Sequence, residues 1–191
     1  MFVKVKGSRM KFTPYYEGGP VLIEAEKHGD ERGFFARTFC EDEFAAAGLP
    51  VSWPQANVSF NEKAGTVRGM HFQVPPDVEP KIVRCTAGAM CDAVIDLRSS
   101  SPEFCKVIQV ELSADNHKAL YVPAGFAHGF QTLVEGTEVL YLMGSVYAPE
   151  AQRGVRWDDS AFDLSWPLDV SVISERDSEY PAFSKDEVLF P

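Results

Sequence analysis

Apolar and polar positions alternate with a period of two along much of this chain, the pattern of strands packed on one side. The clearest case is residues 90–97, where Cys91, Ala93, Ile95 and Leu97 fall on one face and Asp92 and Asp96 on the other. Similar runs at 81–87, 106–112, 118–122, 129–134 and 138–146 predict further strands. Turn chemistry separates them: Gly88, then residues 99–102, 113–116, 123–125 and 135–137, rich in Ser, Gly, Asp and Pro. Many short strands with regular turns predict an all-β sandwich or barrel.

Earlier in the chain, the β-prone runs 21–26 and 33–39 flank His28-Gly-Asp-Glu-Arg32, a turn-like stretch, and are expected to pair as a hairpin. Residues 41–48, with Phe44 and three alanines before Gly48, predict a short helix capped by that glycine. From Gln55, polar Gln55, Asn57 and Ser59 alternate with Ala56, Val58 and Phe60. A half-buried strand usually turns its polar face to solvent, but the same face can also line a ligand site. Residues 61–65 read as a turn returning the chain into a strand at 66–73. After 147–149 the alternation fades into a covering segment, with a short helix expected near Ser160 and a polar tail. One domain over 1–191 is expected, with 1–20 as an amino-terminal extension and 178–191 as the tail.

Charge narrows the partners. A formal net charge of −10 over 191 residues argues against general nucleic-acid or anionic-membrane binding, which rely on excess Lys and Arg. A single anionic ligand needs only a few aimed cations and stays open. Cys40, Cys85, Cys91 and Cys105 show no CxxC spacing, so reduced thiols are expected rather than staples or structural zinc. No secretory pattern and no window of eighteen apolar residues is evident, so a cytoplasmic location is expected.

Candidate chemistry gathers in Gly65-Thr-Val-Arg-Gly-Met-His-Phe-Gln73. His71 there, and His128 later, both sit in strand-like, Gly-rich contexts. Taken singly, such a histidine is more often a hydrogen-bonded structural residue than a catalyst. Pro123-Ala-Gly-Phe-Ala-His128 resembles the second motif of the cupins, a superfamily of jelly-roll barrels, and 65–73 falls where the first motif belongs. Metal-dependent cupins place two histidines one residue apart in that first motif, whereas Gln73 holds the second place here. A metal site of His71, Glu79 and His128 is therefore the alternative, and the main expectation is no metal and no cofactor.

A narrower resemblance rests on the ordered series Asp30-Glu-Arg-Gly-Phe-Phe35, Gln55-Ala-Asn-Val-Ser59, Arg68-Gly-Met-His-Phe-Gln73, Lys81, Asp92-Ala-Val-Ile-Asp-Leu-Arg98, Ser101-Pro102, residues 123–130, Tyr141, Trp157-Asp-Asp159 and Asp177. From about Val21 to Pro181 the chain resembles the dTDP-4-dehydrorhamnose 3,5-epimerases. The resemblance implies inversion of carbons beside the 4-keto group of a nucleoside-diphosphate 6-deoxyhexose, without metal or redox cofactor. It makes His71 the base, Asp177 its partner, Lys81 the group steadying the enolate oxygen and Tyr141 the acid on the far face. Arg32 and Arg68 then suit the diphosphate, Phe34 or Phe35 stacks on base or sugar, Gln55 and Asn57 bind the nucleotide, and His128 lies near the sugar. A homodimer is also implied, with an amino-terminal strand crossing to the partner and Arg32 reaching the neighbouring site. Narrower and different activities remain open: epimerisation at the 3-position only, ketoisomerisation, or a metal-dependent cupin reaction.

The chain departs from that family pattern at Arg37, where glutamate is common, at Leu142 and Met143, where polar residues are frequent, and at Cys105, which replaces a usual glycine. Arg68 and His71, three residues apart, would face opposite ways on a regular strand. If both reach one ligand, the strand must twist or bulge at Gly69.

Overall fold

The computed structural model describes residues 10–186 and 189–190. Its strands are β1 (Met10–Pro14), β2 (Val21–Ala25), β3 (Lys27–Asp30), β4 (Gly33–Ala36), β5 (Gln55–Asn61), β6 (Val67–Gln73) and β7 (Lys81–Ala87). They continue as β8 (Ala89–Asp96), β9 (Val107–Ser113), β10 (Ala119–Val122), β11 (Phe126–Thr132), β12 (Thr137–Met143) and β13 (Gln152–Gly154). Two short helices, α1 (Glu41–Ala46) and α2 (Glu175–Ser178), complete the frame.

The strands form a six-stranded sheet, β1-β2-β10-β7-β12-β5, and a five-stranded sheet, β13-β6-β11-β8-β9, with every pairing antiparallel. Their inner faces enclose the main core: Val83, Leu120 and Val139 from one sheet meet Met90, Val94, Phe126 and Phe130 from the other. This is a jelly roll of the cupin kind. The covering segment packs as expected, with Val155, Phe162 and Phe190 lying on Met70, Phe72 and Ile95 behind the five-stranded sheet. On the far side, α1 inserts Phe44, fully buried, against Phe12 and Ile23, and Gly48 leaves the helix at φ +74°, a left-handed value that glycine adopts without strain.

Three expectations need correction. Residues 21–25 pair with β1 and β10 rather than with 33–39, and the hairpin is the short β3–β4 pair closed by Glu31 and Arg32. The apolar side of β2 is claimed by the core, leaving the polar stretch after it to fold on itself. Part of the expected extension is β1, an integral sheet strand; the expected crossing strand falls partly on 1–9, outside the described residues. Ser160 lies in a turn, and the helix forms instead at α2, where the Ser174 hydroxyl accepts the Asp177 N–H and caps it. Of the two readings open for β5, the structure takes the second, a polar face that lines a cavity. Val58 and Phe60 are 60% and 57% exposed, while half-buried Gln55 and Ser59, with Asn57 between them, line the cavity.

Candidate active site

The site is built on an irregularity of β6. His128 lies opposite His71, but Phe130 lies opposite Arg68, so two steps on β11 face three on β6 and the ladder bulges. Gly69 occupies the bulge at φ +130°, and a Cβ there would come within 2.5 Å of the Gly129 Cα. Gly129 is equally constrained, since its own Cβ would lie 2.7 Å from the Arg68 carbonyl oxygen. Two facing glycines thus let the strands close around the extra residue, and Arg68 and His71 both reach one cavity.

That cavity, of about 440 Å³, lies between the sheets. Gln55, Asn57 and Ser59 enter from β5, Lys81 from β7, and Tyr141 and Met143 from β12. From the opposite wall come Arg68, His71 and Gln73 on β6, and His128 and Phe130 on β11.

Asp177 reaches His71 across 106 residues of sequence, with Nε2 and Oδ1 2.7 Å apart. Its other oxygen accepts the Gly69 N–H at 3.1 Å, so the bulge also presents a backbone donor to the carboxylate. Burial pushes the Asp177 carboxyl up, but the His71 hydrogen bond and charge, the Gly69 N–H and the Ser174 hydroxyl together hold it below its ordinary value. An ionised Asp177 only accepts, so His71 donates Nε2–H to it and keeps the Nδ1 lone pair free.

Tyr141 stands on the other sheet. Burial pushes its phenol far up, with Asp92 adding to the effect and Ser59 and Arg68 opposing it, so the hydroxyl keeps its proton. His128, buried beside it, sets its ring edge-on to Tyr141 with centroids 6.3 Å apart and hydrogen-bonds Asp92 at 2.7 Å. Lys81 Nζ pairs with Glu79 at 2.8 Å. Arg68 Nε donates to Asn61 at 2.7 Å, and Asn61 in turn donates to the Thr137 carbonyl.

Of the expected site residues, His71, Tyr141, Asp177, Lys81, Gln55, Asn57, Arg68 and His128 are brought together in this way. Arg32, Phe34 and Phe35 are not: they sit exposed on the β3–β4 hairpin, with Arg32 paired to Asp30 and Phe34 packed on His117. Arg37 is likewise absent from the cavity lining and is paired to Glu43 of α1 at 2.9 Å. Sequence reading missed Asn61, Tyr147, Gln152 and Arg176. Tyr147 and Gln152 line the cavity and hydrogen-bond each other, and Arg176 joins Arg68, His71 and Asp177 around an adjoining hollow of about 350 Å³. Only the Arg176-Asp177 adjacency signalled any of these in the sequence.

Among the described residues no group of three or more His, Cys, Asp and Glu is placed to hold a metal. His71 and His128 each hydrogen-bond a separate aspartate through Nε2, and Glu79 is paired instead with Lys81. Gln73, in the motif's second place, is a clamp: Nε2 donates to the Asp77 carbonyl and the Ser145 hydroxyl, and Oε1 accepts the Ala148 N–H.

The sequence model of a family described as dTDP-4-dehydrorhamnose 3,5-epimerase matches residues 18–185. A relative of that name from Sinorhizobium fredii is 43% identical over 170 residues, covering 88% of this chain and 87% of the relative. The crystal structure of the Bacillus anthracis enzyme of that name, with TDP and PPi bound, superimposes with a TM-score of 0.88 at 38% identity, covering 91% of this chain and 99% of that one. A Legionella pneumophila dTDP-6-deoxy-D-glucose-3,5-epimerase, in complex with dTDP-4-keto-L-rhamnose, gives 0.87 at 30% identity over 95% of this chain and 97% of its own. The fold and these likenesses define a jelly-roll isomerase acting on carbohydrate. More particularly, the chain belongs to the dTDP-4-dehydrorhamnose 3,5-epimerase family.

Proposed function

We propose that the protein epimerises a nucleoside-diphosphate 4-keto-6-deoxyhexose, most like dTDP-4-dehydrorhamnose 3,5-epimerase, without a metal or redox cofactor. The observation that carries the reading is the His71–Asp177 pair on one wall of the cavity with the Tyr141 phenol on the other. His71 Nδ1 takes the proton from the carbon beside the ketone, and Asp177 stabilises the imidazolium that results. The electron pair moves to the ketone oxygen, where the Lys81 ammonium offsets the enolate charge. Tyr141 then delivers a proton to the opposite face of the carbon, and solvent exchange restores both groups.

In this reading Arg68 and Arg176 take the diphosphate, Gln55 and Asn57 the nucleotide and His128 the sugar, in keeping with their shared cavity and the hollow beside it. Arg32, Phe34 and Phe35, exposed and away from the cavity of their own chain, fit a homodimer in which each hairpin serves the neighbour's site. The outward Val58 and Phe60 fit the same assembly, and a cytoplasmic location accords with a soluble nucleotide-sugar substrate. Among the described residues no helix is long and apolar enough to cross a membrane.

The test is incubation with dTDP-4-keto-6-deoxyglucose in deuterated water, followed by NMR of the ring carbons. Deuterium at the 3- and 5-positions is expected. Entry at the 3-position alone would restrict the reaction to one carbon, and no entry at either would overturn the proposal.

A further inference from the structure

Glu79 has no part in the reaction as described, yet its carboxylate is within the cavity wall. Its side chain is 9% exposed and that of Lys81 7%, and the two are joined by a 2.8 Å ion pair. Both line the cavity that holds His71 and Tyr141. An ammonium so deeply buried needs a compensating charge, and a long, flexible lysine needs a fixed partner to hold one position.

The chain around Glu79 supplies the fixity. Glu79 lies between Val78 and Pro80 in the segment joining β6 to β7. At one end of that segment Gln73 grips the Asp77 carbonyl at 2.9 Å; at the other, the Pro80 carbonyl accepts the Gly144 N–H at 2.8 Å. Gly144 admits this approach because a Cβ there would come within 2.6 Å of the Pro80 ring. Both anchors reach into the stretch just after β12, the strand that carries Tyr141, since Gln73 also holds Ser145 and Ala148. The carboxylate that holds Lys81 is thereby fixed to the same frame as the Tyr141 wall.

We infer that Glu79 is a positioning residue for the reaction: it fixes the Lys81 ammonium at the place where enolate charge develops, and acts through Lys81 alone. The inference rests on the role proposed above for Lys81. Because catalytic stabilisation depends on donors held in place before the charge appears, loss of the partner should lower turnover more than binding.

A double-mutant cycle tests this, read as the rate of deuterium entry from deuterated water and as separate kcat and KM values. Glu79→Ala is expected to lower kcat about a hundredfold with KM within a few-fold, the scale of a misplaced catalytic group. Glu79→Gln, whose amide oxygen still accepts from Lys81, is expected to recover most of that loss. Glu79→Ala combined with Lys81→Ala should be no slower than Lys81→Ala alone. If the double variant falls by the full Glu79→Ala factor below Lys81→Ala, or if Glu79→Ala keeps the wild-type kcat, Glu79 does not act through Lys81 and the inference is overturned. Should Glu79→Ala not fold, as judged by thermal unfolding, the cycle is run with Glu79→Met, which fills the same space without an acceptor, under the same criterion. Unaltered exchange in Lys81→Ala would overturn both the lysine's proposed role and this inference, whereas absence of exchange in the wild type would overturn the proposed function itself.

Discussion

Two histidine–aspartate pairs lie side by side in this fold, and their hydrogen bonds are the same length, yet they are built for different work. His71 and His128 are opposite one another in the β6–β11 ladder, and each sets Nε2 2.7 Å from a carboxylate oxygen. The His71 side chain is 31% exposed, and the Asp177 carboxylate accepts a second donor, the Gly69 N–H. His128 is almost wholly enclosed; Asp92 beneath it is fully buried, and its Oδ2 has no hydrogen-bond partner among the described residues. A base must reach its substrate and must have a carboxylate that stays ionised. The first pair meets both needs; the second is too enclosed to reach a substrate proton as freely and sets its ring edge-on to Tyr141. Hydrogen-bond length alone would not separate them; access and the number of donors at the carboxylate do.

Substitutions can break this contrast, the largest effect coming first. His71→Ala should lower kcat by about 10³-fold, within the range for loss of a positioned general base. Asp177→Asn should cost about 10²-fold, since the amide keeps the shape of the pair but not the charge that stabilises the imidazolium; steady-state kinetics with a thermal-unfolding control would show it. His128→Ala should act mainly on KM, lowering kcat by no more than about tenfold, because binding rather than proton transfer is lost. A comparable collapse of kcat in both histidine variants would erase the distinction.

The smallest effect is on stability at acid pH. Asp177 titrates below the ordinary carboxyl value of 3.8 when folded, so its contribution is fully present above that value and is lost as pH falls through the folded one. Acid unfolding of Asp177→Asn, followed by circular dichroism, should therefore show a shallower loss of stability below about pH 4 than the wild type does. Identical slopes would place the carboxylate outside the linkage.

Much of this was legible in the chain because alternation and turn chemistry are local. The strands from β7 onward follow their apolar faces, and the bulge at Gly69 follows from requiring Arg68 and His71 to share a ligand. Less legible was what depends on the other sheet. The polar face of β5 points inward because the cavity, not solvent, lies behind it, and the strand's own pattern is the same for either case. The β3–β4 hairpin and the distance of Arg32, Phe34 and Phe35 from the cavity depend on which strand β2 pairs with, a non-local choice. Cys105 shows the reverse: its departure from the family's glycine is visible in sequence, and the structure gives it φ +67°, a left-handed conformation that costs a side chain about 1 kcal/mol. Arg37, the other conspicuous departure, turns out to be engaged with Glu43 on α1.

The central claim is that His71, and not its neighbour His128, removes the substrate proton. Deuterium wash-in from deuterated water should be compared for wild type, His71→Ala and His128→Ala at saturating dTDP-4-keto-6-deoxyglucose. The account predicts that exchange disappears in His71→Ala and persists in His128→Ala. Exchange that survives loss of His71 but not loss of His128 would contradict it.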